Sequence, residues 1–213
     1  MRRVIGYYIC EQIKIPQFLK RDGTMVSVSE CFGGIHPRLD TCFFQNSYVS
    51  EKDRDAYKKR WNLDAEKAES LIKETGTLFD RTLSADGRFV SLSDARHFYD
   101  SFFSKNCILV SVSAEEKYFE FLKDEMRGNG CLELTGCTDE HDLLGYDILG
   151  WDTGSFHTFL CNSLQEMLPG AVFNSYGLLS NSYDEVSVFA ERIQGYGEPV
   201  EWIPCRVGKC SSV

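Results

Sequence analysis

The sequence predicts an α+β fold, with α/β as the variant: one mixed β-sheet with packed helices in a layered sandwich. Three observations carry this. Short apolar or alternating runs read as strands near both ends of the chain and twice in its second half. Between them, apolar residues recur at helical spacing. Turn and cap residues punctuate the boundaries. The 213 residues suit one domain over 1–213. Its parts are β-rich to residue 50, helical over 51–105 and β-α-β-α-α-β over 106–207.

Residues 4–10 (VIGYYIC) read as a buried first strand. Lys20-Arg21-Asp22-Gly23 is a turn before the alternating Met25-Val26-Ser27-Val28, which predicts a hairpin. Residues 31–42, with Gly33-Gly34 and His36-Pro37, read as a loop, and 42–49 as a further strand. Ser50-x-x-Asp53 resembles a capping box ahead of Tyr57 and Trp61. Ala65, Ala68 and Ile72 share one helical face, and Gly76 is expected to stop that helix. Ala95, Phe98, Tyr99 and Phe102 form the next stripe, which leaves His97 on the outer side.

The second half has a clearer grammar. Residues 107–112 form a near-continuous apolar run, expected of a strand buried on both faces. Ser113-x-x-Glu116 reads as a capping box, followed by a helix with Tyr118, Phe119, Leu122 and Met126 inward and ended by Gly128-Asn129-Gly130. Residues 143–151 predict a strand. From Phe156 the apolar spacing predicts a helix through Leu168. Ser182-x-x-Glu185 caps a last helix with Val186, Phe189, Ala190 and Ile193 inward. A final strand alternates Val200 and Trp202 with Glu201 and Ile203, and Pro204 predicts an edge position or the strand's end.

Composition narrows the function classes. Net charge is −9, against nucleic acid as a ligand. No apolar run approaches the ~18–20 residues of a membrane span. The opening MRRVIGYYIC has too short an apolar run for a secretion signal, so a cytoplasmic chain is expected. Nine cysteines without a C-x-x-C pair suggest buried free thiols. Cys131, Cys137 and His141 lack a usual zinc spacing, and no metal or cofactor is expected. Cys210 is fourth from the end, but serines follow it, against a prenylation box.

The charge is concentrated. Residues 111–152 hold eleven acids and three bases, a balance of −8 that leaves −1 for the rest of the chain. Glu115, Glu116, Glu120, Asp124, Glu125, Asp139, Glu140 and Asp142 form the expected partner-binding surface, because a local acidic field steers a basic partner. The plainer reading of such a run is a solvated helix face and an acidic loop.

Asp152-Thr153-Gly154-Ser155 resembles the catalytic loop of aspartic proteases in its letters. That chemistry needs two carboxylates sharing a proton, hence two such elements, and the chain has one. The expected helix from Phe156 makes Asp152, Thr153 or Ser155 an N-cap. His157 and Cys161 stand at i and i+4 on that helix and form an alternative site. If strands 107–112 and 145–151 are parallel neighbours, Ser111, Ser113, Asp152, Thr153 and Ser155 gather at one sheet edge, where ligands bind in open α/β sheets.

The function expected from these residues is binding without catalysis. A cytoplasmic protein of inhibitor or immunity type would use its acidic surface to neutralise a basic toxin or effector. The alternative is a small hydrolase or transferase at the Asp152–Ser155 edge or the His157/Cys161 pair. A third is an assembly component with apolar contact surfaces.

Overall fold

The computed structural model describes residues 1–11, 18–19, 25–26, 55, 59, 62–79, 81–84, 87–105, 107–134, 136–152, 155–158, 174, 176, 178–196 and 200–211. Its strands are β1 (Arg2–Glu11), β2 (Phe18–Leu19), β3 (Met25–Val26), β4 (Cys107–Glu115), β5 (Asp142–Asp152), β6 (Ser155–Thr158) and β7 (Glu201–Lys209). Its helices are α1 (Ala65–Leu78), α2 (Leu92–Phe98), α3 (Glu116–Gly128) and α4 (Tyr183–Ile193), with a π-helical turn, Tyr99–Phe103, continuing α2. The fold is α+β.

Five strands form one sheet in the order β1-β4-β7-β5-β6, and β2 pairs β3 as the predicted hairpin. Every pairing is antiparallel, so the expected mixed sheet is corrected. β4 and β5 do run the same way, but β7 lies between them. The reason is burial. β7 is buried along most of its length, so it takes a slot with strands on both sides. The edge position expected from Pro204 is therefore also corrected. Pairing with β4 stops at Arg206, so Pro204 sits where β7 pairs only with β5, and its missing N–H is tolerated there.

Alternation along the strands sorts the core into two faces. On the first, Ile5, Val110, Val112, Ile203, Cys205 and Val207 meet Phe119, Leu122 and Met126 of α3. On the second, Val4, Tyr7, Ile9 and Leu109 meet Leu71 of α1 and Ala95, Phe98 and Phe103 of α2 and its continuation. Phe98 packs against Phe89, Phe102 and Phe103, with centroids 5.5, 5.2 and 5.9 Å away. Removing such a ring costs about 3–5 kcal/mol. α4 covers the β5–β7 part of this second face, where Tyr183 stacks edge-on with Tyr146 and Gln194 holds both backbone polar groups of Trp202. The outer edge of β1 is closed at Tyr7, which exchanges two 2.9 Å backbone hydrogen bonds with Phe89, and at Val4, which donates to the Cys137 carbonyl.

Caps explain three helix starts. Asp64 accepts from Lys67 N–H, Ser91 from Asp94 N–H and Ser182 from Glu185 N–H. The fourth differs from expectation. Ser113 is still inside β4, and α3 starts at Glu116 without a side-chain cap. α1 runs through Gly76 and ends at Leu78, so that glycine is no stop. The predicted helix from Phe156 is overturned over residues 155–158, which form β6 on the edge of β5. The predictions for 31–49, the Ser50–Asp53 box and residues 159–168 fall outside the described residues. No helix among the described residues is long and apolar enough to cross a membrane.

Candidate functional site

The acidic residues fall into separate groups once the strands are in place. α3 turns Phe119, Leu122 and Met126 into the first-face core, so Glu120, Phe121, Asp124 and Glu125 point outward. Glu116 is tied to Arg3 at 3.0 Å, and Glu120 lies 3.5 Å from Lys123. Asp124 and Glu125 have no ion-pair partner among the described residues. Between these carboxylates the Phe121 ring is 38% exposed. Glu115 is half-buried on the second face against Tyr183, and Arg2 stacks over the Tyr183 ring 4.3 Å from its centroid. Burial, with the Glu115 charge adding to it, holds that phenol's pKa above its ordinary value.

Asp139 is not part of an exposed field. Its side chain is wholly buried beside Arg206 on the second face. Oδ2 accepts from the Ser113 hydroxyl and from Arg206 Nη1, both at 2.5 Å. Oδ1 accepts from the Ser111 hydroxyl and the His141 N–H, each at 3.2 Å. Arg206 Nη2 donates to the His141 carbonyl. Four donors thus occupy the acceptor sites of this carboxylate. It works as a clamp that pins the 136–141 loop to the sheet. Glu140 and Asp142 follow on this loop, both exposed, and Asp142 accepts from Ser211 at 2.7 Å. They belong to this loop and to the start of β5, not to the α3 stripe.

The same loop presents Cys137, the exposed thiol among the six described cysteines. Its Sγ lies 3.0 Å from the Tyr7 hydroxyl. Burial raises the Tyr7 pKa, so the phenol keeps its proton and can donate it to the sulfur. The loop reaches this position because Gly136 adopts φ +64°, and a Cβ there would stand 2.5 Å from the Phe119 ring. Cys10, Cys107, Cys205 and Cys210 are buried, and burial pushes the Cys210 thiol up to about 12. Among the described residues no group of three or more His, Cys, Asp or Glu could hold a metal ion.

The structure does not assemble the sheet-edge set. Ser111 and Ser113 are engaged with Asp139 in mid-sheet. Asp152 and Ser155 are paired partners where β5 meets β6, Thr153 lies outside the described residues, and β7 separates this corner from β4. The reading of Asp152, Thr153 or Ser155 as a helix cap fails with the helix itself. His157 is a strand residue opposite Gly150, so it is not one helical turn before Cys161, which lies outside the described residues.

Sequence reasoning missed Asp147. It is 1% exposed on the first face, opposite Cys205 in the β5–β7 register. Oδ1 accepts from the Ile148 N–H at 2.9 Å, and Oδ2 has no hydrogen-bond partner among the described residues. Desolvation raises its pKa from 3.8 to about 7, partly opposed by that hydrogen bond. A signal was available: Asp147 shares strand parity with the inward Leu149 and Trp151. No family model, curated protein or solved structure matches this chain.

Proposed function

We propose that this chain is a non-catalytic binding protein of inhibitor or immunity type, which neutralises a basic protein, a toxin or effector, through an acidic surface. The observation that carries the reading is the outer stripe of α3, where Asp124 and Glu125, without an ion-pair partner among the described residues, flank the exposed Phe121. An aromatic anchor within a charged rim is the anatomy of a binding hot spot. The carboxylates would steer a cationic partner, and the ring would slow its release. Burial of Asp139 and Asp147, and the pairing of Glu116 with Arg3, take those carboxylates out of the exposed field and favour this stripe as the contact surface.

The test is affinity capture with the wild-type chain and with the double variant Asp124→Lys/Glu125→Lys, at low and high salt. The reading expects a basic protein held in stoichiometric amount by the wild type, weakened by salt and lost from the double variant. Equal capture by both chains would remove the α3 stripe from the account.

A further inference from the structure

A concavity lies apart from the acidic stripe, on the outer side of the second-face helices. α1 and α2 form a groove of about 300 Å³. Ser70, Lys73, Glu74 and Leu78 line it from α1, and Asp94 and His97 from α2. The volume is at the low end of small-molecule sites, about 300–1,000 Å³, and suits a ligand the size of an amino acid.

The charges in the groove are not equivalent. Glu74 is already engaged, 3.3 Å from His97 Nε2, and this contact ties the two helices together. Lys73 and Asp94 have no side-chain partner among the described residues, and they stand on different helices. Thus one ammonium and one carboxylate without a side-chain partner among the described residues line the same space, with Ser70 beside them and Leu78 as an apolar surface.

We propose that this groove binds a small zwitterion of the free amino-acid type. The ligand carboxylate pairs with Lys73, its ammonium pairs with Asp94, and its side chain lies against Leu78. A purely anionic ligand would meet Asp94 and Glu74, and a purely cationic one would meet Lys73. A zwitterion satisfies both walls. The site is independent of the acidic stripe on α3.

The experiment titrates the isotope-labelled full chain with free L-amino acids, one at a time, and follows backbone amide shifts. The expected result is saturable shifts at residues 70–78 and 94–97 with at least one amino acid. Lys73→Met and Asp94→Asn should each weaken that affinity about tenfold or more, since each removes one charge-assisted contact. Acetate alone and ethylamine alone should bind far more weakly than the amino acid. No saturable shift at these residues with any amino acid would overturn the proposal. So would unchanged affinity in both variants, or equal binding of either half-ligand.

Discussion

Replacing Asp147 by Asn should stabilise the protein at alkaline pH, and the gain should shrink on acidification. The buried carboxyl keeps its proton in the fold up to about pH 7, whereas in the unfolded chain it ionises from 3.8 upward. Between those values the folded state binds more protons, so wild-type stability is greatest below 3.8 and falls as pH rises towards 7. At ~1.4 kcal/mol per pH unit, the full loss is on the order of 4 kcal/mol. Asn cannot ionise and keeps an acceptor for the Ile148 N–H, so the variant escapes this loss. Urea unfolding of both chains at pH 4.5, 6 and 8 measures it. The stability of the variant minus that of the wild type should grow by about 3 kcal/mol from pH 4.5 to 8. Taking the difference cancels the other titrating groups, and any constant penalty of the amide drops out of the slope. A difference independent of pH, or one that shrinks as pH rises, would refute the reasoning.

Other consequences are as direct. Asp139→Ala leaves Arg206 Nη1 and the Ser113 hydroxyl without their acceptor, while Ser111 keeps only its long bond to the Gly208 carbonyl, and should cost about 3 kcal/mol or more in urea unfolding. Gly136→Ala strains a positive φ and drives Cβ into Phe119, and should lower the thermal midpoint, with a cost above ~1 kcal/mol. In the native protein, iodoacetamide followed by peptide mapping should label Cys137 first among the six described cysteines. Cys10, Cys107, Cys205 and Cys210 should react only after denaturant is added.

Local physics was legible in the sequence where the deciding contacts are local. The S-x-x-E pattern at Ser182 became a true cap because its partner lies three residues away. The same pattern at Ser113 failed because Asp139, 26 residues on, takes the hydroxyl into a buried network. The exposed side of α3 followed from periodicity, and so did the outward His97, although its contact with Glu74 did not. The order of the sheet depends on β7, about 90 residues beyond β4 in the chain, and no local pattern reports such a pairing. Phe156 shows the ambiguity of apolar spacing. Its helical register runs forward into Phe159 and Leu160, yet its ring packs 5.0 Å from Trp151 across a strand pair. The acidic count misled for a related reason. Asp139 is cancelled by an arginine 67 residues away, and Asp147 is buried, so formal charge overstates the field outside.

The central claim rests on the charge and the ring of the α3 stripe. The most direct measurement is the association rate of the captured basic partner with wild type, Asp124→Lys/Glu125→Lys and Phe121→Ala, by stopped flow across a range of salt. The account predicts that the double reversal slows association and flattens its salt dependence. Phe121→Ala should leave association nearly unchanged and speed dissociation. Association with the same rate and salt slope for wild type and the double reversal would contradict it.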